Sequence, residues 1–294
     1  MANVTVIIPT YNEEANIGEC IKSLEGFAEK VILMDNNSTD RTKEIAENLG
    51  VKVIQSNLTY KERLNQGIAL SEISTAWVMN VDADERLTPE SARELSKLTE
   101  KFLNDPKVNG IVLRYHFVYM GKLLKHSMSN KMRLFKKGMA YMENVELDEH
   151  FVLKEGKAYK MKNCLMHLEY KGIDALIRKL NGFARRKAKE VIEIQKKEKT
   201  VSYEGLARVT KIRRFLNYNL YYKLPIRWRA YWYYIYCYYF RLGFFDGVRG
   251  KMFYYLYDYW YKMLTDAYIM EFKLLEEGKL EEEGDVIRIK SVDY

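Results

Sequence analysis

The chain has 294 residues, of which 48% are hydrophobic and 30% are charged, and its 48 Lys and Arg outnumber its 40 Asp and Glu. This length is enough for one large or two small domains with a sizeable core, and the apolar fraction excludes an intrinsically disordered chain. Three widely separated cysteines, Cys20, Cys164 and Cys237, exclude a disulfide framework and a zinc cluster and predict a reducing compartment.

Charge and aromatic residues are distributed unevenly along the chain. Residues 1–170 contain 23 basic and 24 acidic residues, whereas the rest of the chain contains 25 and 16. Fifteen of the 24 tyrosines lie between Tyr218 and Tyr268. The longest uncharged stretch in that segment is far shorter than the roughly 20 residues that a membrane-spanning helix needs. We therefore predict three regions: a charge-balanced domain over 1–170, a basic, Tyr-rich helical region over 171–275, and a charged tail over 276–294.

Up to about residue 85, short β-branched runs alternate with amphipathic runs. The alternation predicts strands at 4–8, 31–34, 51–54 and 76–81, separated by helices at 13–24, 40–49 and 61–73. This order indicates an α/β fold, with a mostly parallel, Rossmann-like sheet covered by helices on both faces. Ligands bind such sheets at the carboxyl ends of the strands. The sequence contains neither Gly-x-Gly-x-x-Gly nor a P-loop, which argues against a dinucleotide site or a P-loop phosphotransferase.

Polar turns follow the first, second and fourth predicted strands. They read Pro-Thr-Tyr-Asn-Glu-Glu from Pro9, Asp-Asn-Asn-Ser-Thr-Asp from Asp35, and Asn-Val-Asp-Ala-Asp-Glu from Asn80. In the third turn, Asp82 and Asp84 are two residues apart at a strand end, so both carboxylates face one side. A divalent cation bridged to a diphosphate would neutralise them. The alternative is that these turns only cap helices and reverse the chain.

These turns, together with Arg-Leu-Asn-Gln-Gly from Arg63, resemble in their order family 2 glycosyltransferases with a GT-A fold. Three later segments resemble the subgroup that contains lipopolysaccharide-core β-glucosyltransferases. They are Asp148-Glu149, Leu-Met-His-Leu-Glu-Tyr from Leu165, and Gly-Phe-Phe-Asp-Gly from Gly243.

The resemblance implies a function for each turn. It places Asp82 and Asp84 on Mg²⁺ or Mn²⁺ against the diphosphate of a nucleotide sugar, and His167 as a third metal ligand, although a buried His is also a common core residue. Arg133 aligns with an arginine of related sequences or is an exposed charge on a strand. The residues implied to lie near the nucleotide are Pro9, Thr10, Tyr11, Glu13, Asp35, Arg63, Asn65 and Asp82, with Asp35 at the edge of the base.

Inverting transfer needs a carboxylate that takes the proton of the acceptor hydroxyl. Matching the acidic pair of related enzymes selects Glu149 as this base, with Asp148 as the rival candidate. The alternative is a solvated acidic turn.

Beyond residue 170, a predicted helix over 173–194 carries an apolar stripe and many basic residues, Lys187 among them. A basic amphipathic helix beside Tyr and Trp favours peripheral contact with an anionic membrane. The alternative is that the helix packs on the catalytic domain and the tyrosines fill a core.

We interpret the chain as an inverting, metal-dependent glycosyltransferase that is cytoplasmic and peripheral on the inner face of the plasma membrane. It would transfer a hexose from a nucleoside diphosphate to a surface-glycan, lipopolysaccharide-core or lipid-linked acceptor. UDP is the nucleoside diphosphate that we favour. The alternatives are a sugar nucleotidyltransferase and a nucleic-acid-binding protein. The ordered acidic turns argue against the second alternative, and we expect no nucleic-acid partner.

Overall fold

The computed structural model describes residues 2–144, 149–168, 171–283 and 286–291. It divides the chain into two compact units. Unit 1 consists of residues 1–169 and 203–213, and unit 2 consists of residues 170–202 and 214–294. The first unit is therefore discontinuous in sequence, a feature that the sequence pattern does not predict. The predicted regional boundaries at 170 and 275 remain predictions.

Unit 1 contains an eight-stranded mixed sheet in the order β3-β2-β1-β4-β7-β6-β10-β5. Its first four strands run parallel and alternate with helices as the sequence predicts. These elements are β1 (Val4–Thr10), α1 (Ile17–Ser23), β2 (Lys30–Asp35), α2 (Thr42–Asn48), β3 (Lys52–Gln55), α3 (Tyr60–Ile68) and β4 (Trp77–Asn80).

The second half of the sheet is antiparallel where β7 lies between β4 and β6. It also contains β10, parallel to β6, and β5, antiparallel to β10. The elements are β5 (Glu85–Arg86), α4 (Pro89–Lys101), β6 (Val108–Tyr119), β7 (Lys122–Lys136) and β10 (Lys157–His167). A separate hairpin pairs β8 (Ala140–Met142) with β9 (Phe151–Leu153).

Every residue of β1 is buried, because helices and loops cover both faces of the sheet. Val4, Val6 and Ile8 contribute to one hydrophobic cluster, and Ile7 contributes to a second cluster. Side chains of a strand point alternately to opposite faces, so these two clusters are the two layers of the core. The mixed α/β sheet flanked by helices confirms the predicted fold class.

Unit 2 is mainly helical. Its helices are α5 (Ile173–Gln195), the end of α6 (Arg208–Asn219), α7 (Ile226–Ile235), α8 (Gly247–Tyr254) and α9 (Tyr261–Glu276). A small core of Ala188, Val191, Ile192, Tyr222 and Ile269 joins α5 to α9. Part of the charged tail forms a hairpin of β11 (Leu280–Glu283) and β12 (Val286–Ile289), which the sequence does not predict.

Two buried ion pairs lie in the described part of unit 2. Lys187 of α5 is buried and donates to Glu190 over 2.7 Å, so it does not belong to an exposed basic face of this helix. Arg229 of α7 forms a second pair with Asp266 of α9. Within the described residues, no helix is both long enough and apolar enough to cross a bilayer.

Candidate active site

The turns after β1 and β2 are joined by hydrogen bonds centred on Asp35, which is fully buried. Its carboxylate accepts from the Thr10 hydroxyl over 2.9 Å and from the backbone N–H of Ser38 over 2.8 Å. The backbone N–H of Asn36 donates in turn to the carbonyl oxygen of Thr10. The two turns are therefore joined into one edge at the carboxyl ends of adjacent parallel strands.

A second set of bonds crosses between the same turns. Asn12 has a left-handed backbone with φ of 54°, and its side-chain oxygen accepts from the N–H of Thr39 over 2.9 Å. The N–H of Glu13 donates to Thr42 over 2.7 Å. Pro9 is buried within β1, whereas Tyr11 is exposed at the edge. Of the predicted nucleotide-binding residues in this turn, Tyr11 is therefore the most accessible.

Arg63 and Asn65 connect α3 to different neighbours. Arg63 is buried and donates from Nη1 to the carbonyl oxygen of Thr10 over 2.9 Å. Burial lowers the pKa of Arg63, while the nearby Asp35 carboxylate opposes that change. Asn65 instead bonds the backbone of Met142 in β8 in both directions, over 2.8 and 3.2 Å. The structure thus places Arg63 against the end of β1 and shows Asn65 bonded to the β8–β9 hairpin.

Asp82 is held by a guanidinium that comes from β7. Arg133 donates to both oxygens of Asp82, over 3.1 and 2.8 Å, and also to Asn80, while the Tyr60 hydroxyl donates to Asp82 over 2.9 Å. Burial by itself would raise the pKa of Asp82, but the charges of Arg133 and Lys131 hold it well below its usual range. Arg133 is itself buried, so the interpretation of this residue as an exposed charge on a strand is wrong.

Asp84 lies beside His167, with 3.5 Å between Oδ2 and Nε2. The contact arises because the end of β10 pairs with β5, immediately after the Asp-Ala-Asp turn, and because the Leu168 N–H donates to the Asp84 carbonyl oxygen over 2.7 Å. The rings of His167 and Phe117 are stacked with centroids 5.0 Å apart. His167 is therefore positioned by the fold with its Nε2 towards the Asp84 carboxylate.

Glu85, the next residue, is fully buried and accepts from the N–H of Asp82 over 3.1 Å. Burial, together with the charge of Asp82, raises the pKa of Glu85 to about 7, although Arg133 and His167 act in the opposite direction. Glu85 thus shapes the turn that carries both aspartates.

Glu149 lies in the loop between β8 and β9, whereas Asp148 falls outside the described residues. The loop is closed at its base by Glu143 and His150. The N–H of Glu143 donates to the His150 carbonyl oxygen over 3.1 Å, and the N–H of His150 donates to Glu143 Oε1 over 3.0 Å. The structure consequently fixes both ends of the loop that carries the two candidate bases.

Sequence reasoning did not identify Tyr60 or Glu85 as part of this site. Glu85 directly follows Asp-Ala-Asp, so its position in that turn was a usable signal. Tyr60 follows the helix cap Thr59, which forms a capping box with Glu62, and this pattern marks the start of α3 without indicating a contact to Asp82.

The mixed sheet, with polar turns at the carboxyl ends of its parallel strands, has the architecture of a GT-A glycosyltransferase. The sequence model described as Glycosyl transferase family 2 matches residues 5–162. An uncharacterized glycosyltransferase of Rickettsia typhi is 30% identical over 67% of this chain and 70% of its own length. The chain belongs to glycosyltransferase family 2 and is a glycosyltransferase, which decides against the two alternative functions.

Other relatives are more distant. The lipopolysaccharide core biosynthesis glycosyltransferase LpsC of Rhizobium meliloti is 27% identical over 66% of this chain and 73% of its own length. Among solved structures, S. aureus TarS 1-349 covers 99% of this chain and 96% of its own, at 14% identity and a TM-score of 0.45. Glucosyl-3-phosphoglycerate synthase from Mycobacterium tuberculosis, in complex with Mn²⁺ and UDP, covers 39% and 43% at 24% identity and a TM-score of 0.31. At these TM-scores neither structure bears on the chemistry of this chain.

Proposed function

We propose that this glycosyltransferase is an inverting, metal-dependent enzyme that transfers a hexose from a nucleoside diphosphate, UDP in the first instance, to a surface-glycan, lipopolysaccharide-core or lipid-linked acceptor. The name of the LpsC relative supports a lipopolysaccharide-core acceptor. The donor class is supported by the resemblance of the four N-terminal motifs to family members that use nucleotide sugars.

The contact between Asp84 and His167 carries the proposal. Two ligand atoms that each lie about 2.1 Å from a cation are at most about 4.2 Å apart, and the observed separation is 3.5 Å. Both side chains are largely buried, with 17% and 10% of their surface exposed. A carboxylate oxygen and an imidazole nitrogen therefore fit one divalent ion, and the nitrogen favours Mn²⁺ over the oxygen-preferring Mg²⁺.

The remaining ligands would come from the diphosphate and water. Among the described residues, no three His, Cys, Asp or Glu side chains are grouped to hold a metal, so protein atoms do not complete a coordination sphere there. Asp82 is already bound by Arg133 and Tyr60. We therefore assign Asp84 and His167 as direct ligands and Asp82 as the anchored carboxylate at the nucleotide side.

The chain's own residues would bind the donor at one place and take the proton of the acceptor at another. A bound divalent ion supplies electrostatic stabilisation of the negative charge on the departing nucleoside diphosphate. The turns around Thr10 and Asp35 bind the nucleotide, with Arg63 behind them. Glu149 takes the proton of the acceptor hydroxyl as that oxygen attacks, and Asp148 is the alternative base.

The test is donor turnover by Asp84→Asn. We expect Mn²⁺-stimulated hydrolysis across a panel of nucleotide sugars to fall by about two orders of magnitude or more. The matched control is Glu90→Gln on α4, where the carboxylate forms an exposed ion pair with Arg93. Calorimetric titration of Mn²⁺ in the presence of UDP should show the same loss. Full activity of the parent enzyme in chelator would refute metal dependence.

We also place the enzyme at the cytoplasmic face of the inner membrane, where a lipid-linked or lipopolysaccharide-core acceptor would be reached. The basic excess of the second region supports this location. Between residues 214 and 262 there are eight Lys and Arg and only two Asp and Glu. Such a segment is attracted to anionic lipid headgroups.

A further inference from the structure

Unit 2 exposes several large apolar side chains over residues 240–248, from the end of the α7 segment to the first turn of α8. Phe240 is 77% exposed, Phe245 is 66% exposed and Val248 is 74% exposed, although side chains of these types are normally buried. We name this group the apolar tip. Its members are Phe240, Leu242, Phe244, Phe245 and Val248.

The apolar tip is a built structure and not a loose turn. Behind it, the buried Tyr254 hydroxyl donates to Asp246 Oδ2 over 2.8 Å. A Cβ added to Gly243 would lie 2.6 Å from the Tyr254 ring, so only glycine allows this approach. Gly247 has a φ of +69°, which glycine adopts without strain. The motif Gly-Phe-Phe-Asp-Gly thus fixes the turn from inside while its two phenylalanines point outward.

The surroundings of the apolar tip indicate what covers it. Exposed aromatic residues precede it along the chain, and exposed basic residues lie on both sides of it in sequence. The aromatic residues are Trp228, Tyr231, Trp232, Tyr236 and Tyr239, and the basic residues are Lys223, Arg227, Arg249 and Lys251. Tyr and Trp prefer the membrane–water interface, and basic residues bind anionic headgroups.

A second copy of the chain fits this surface less well than a bilayer does. Because basic residues outnumber acidic ones eight to two between residues 214 and 262, two copies meeting through this face would bring like charges together. An anionic lipid surface offers the opposite charge as well as an apolar layer beneath it.

We propose that the apolar tip inserts into the headgroup–acyl boundary of an anionic bilayer and anchors the enzyme there. This inference rests on the proposed membrane location of the acceptor and makes it specific. The proposed anchor is not α5, the basic helix that the sequence analysis favours as the membrane contact. That helix buries Lys187 and packs against α9, and the one large apolar side chain that it exposes to this degree is Ile173.

The experiment measures how the full-length protein partitions between buffer and vesicles of phosphatidylglycerol and phosphatidylcholine, by sedimentation. We expect the double variant Phe245→Ser and Val248→Ser to lose about tenfold or more of its partition coefficient, since it removes two apolar side chains that would become buried in the bilayer on insertion. Met270→Ser, an exposed apolar position on α9, is the matched control and should partition like the parent.

Two further measurements keep the outcomes distinct. Quenching of the parent protein's Trp fluorescence by brominated lipids tests insertion without any substitution, and absence of quenching overturns the proposal. Equal partition of the tip variant and the parent also overturns it. A parent dimer that the tip variant dissociates, with no vesicle binding, assigns the surface to a second copy instead. Donor hydrolysis should be unchanged in the tip variant, whereas its absence in the parent would contradict the proposed function and leave the apolar tip unaffected.

Discussion

Replacing Arg133 by Met should destabilise unit 1 through the carboxylate that it leaves behind. The Arg133 side chain is 9% exposed and that of Asp82 is 23% exposed, and two hydrogen bonds of 3.1 and 2.8 Å join them. Removing one member of a buried ion pair typically costs about 3–5 kcal/mol. Asp82 keeps the bond from Tyr60 and some access to water, so we expect the lower end, about 3 kcal/mol.

A double-mutant cycle with Asp82→Asn separates the pair from its surroundings. Because each single variant leaves a charge without its partner, the double variant should lose less than the sum, with a coupling energy of about 2 kcal/mol. Denaturant unfolding of the metal-free protein gives these values when Trp77, buried in β4, is the only tryptophan retained. If the losses in free energy of unfolding of the two single variants add up to that of the double variant within about 0.5 kcal/mol, the inferred pairing is refuted. Loss of Mn²⁺ binding in Asp82→Asn with unchanged stability would instead make Asp82 a direct metal ligand.

Two further substitutions test the base and unit 2. Glu149→Gln should abolish transfer while leaving UDP binding by calorimetry intact, and the same phenotype in Asp148→Asn with an active Glu149→Gln would show that the neighbouring carboxylate is the base. Asp266→Asn should lower the free energy of unfolding by about 3 kcal/mol or more, because it leaves the buried guanidinium of Arg229 without its carboxylate. A change in the unfolding midpoint no larger than that of Met270→Ser would contradict the importance of this pair.

The first half of the sheet could be predicted because each strand and helix has its own local hydrophobic period. The positions of Asp35 and Asp84 followed from that pattern, since ligand-binding turns lie where parallel strands end. The contact of Asp82 with Arg133 could not be predicted. It depends on the antiparallel register of β7 against β4, in which Met79 lies opposite Leu134, and no local pattern specifies that register.

The same limit applies to buried charges. Lys187 has the spacing of a solvated residue on a basic helix, and only the approach of Tyr218 and the nearby Glu190 makes its burial favourable. Asn65 likewise carries a side-chain amide, a group that often binds ligands, yet this amide is hydrogen-bonded to the backbone of β8. Hydrophobic periodicity is a local pattern. It cannot predict that a side chain will bond to a backbone group or a charged residue that is far away in the sequence.

The return of residues 203–213 to unit 1 affects how this unit is completed during synthesis. Gly205 accepts from the N–H of Leu153 over 2.9 Å, and Ala207 enters the core layer beneath the sheet. A Cβ on Gly205 would lie 2.2 Å from Val152, so the strand and this segment fit closely. A nascent chain that has emerged only as far as residue 202 therefore lacks part of the catalytic core. A fragment that ends at residue 170 would lack this segment permanently and would leave the backbone N–H of Leu153 without the Gly205 carbonyl oxygen.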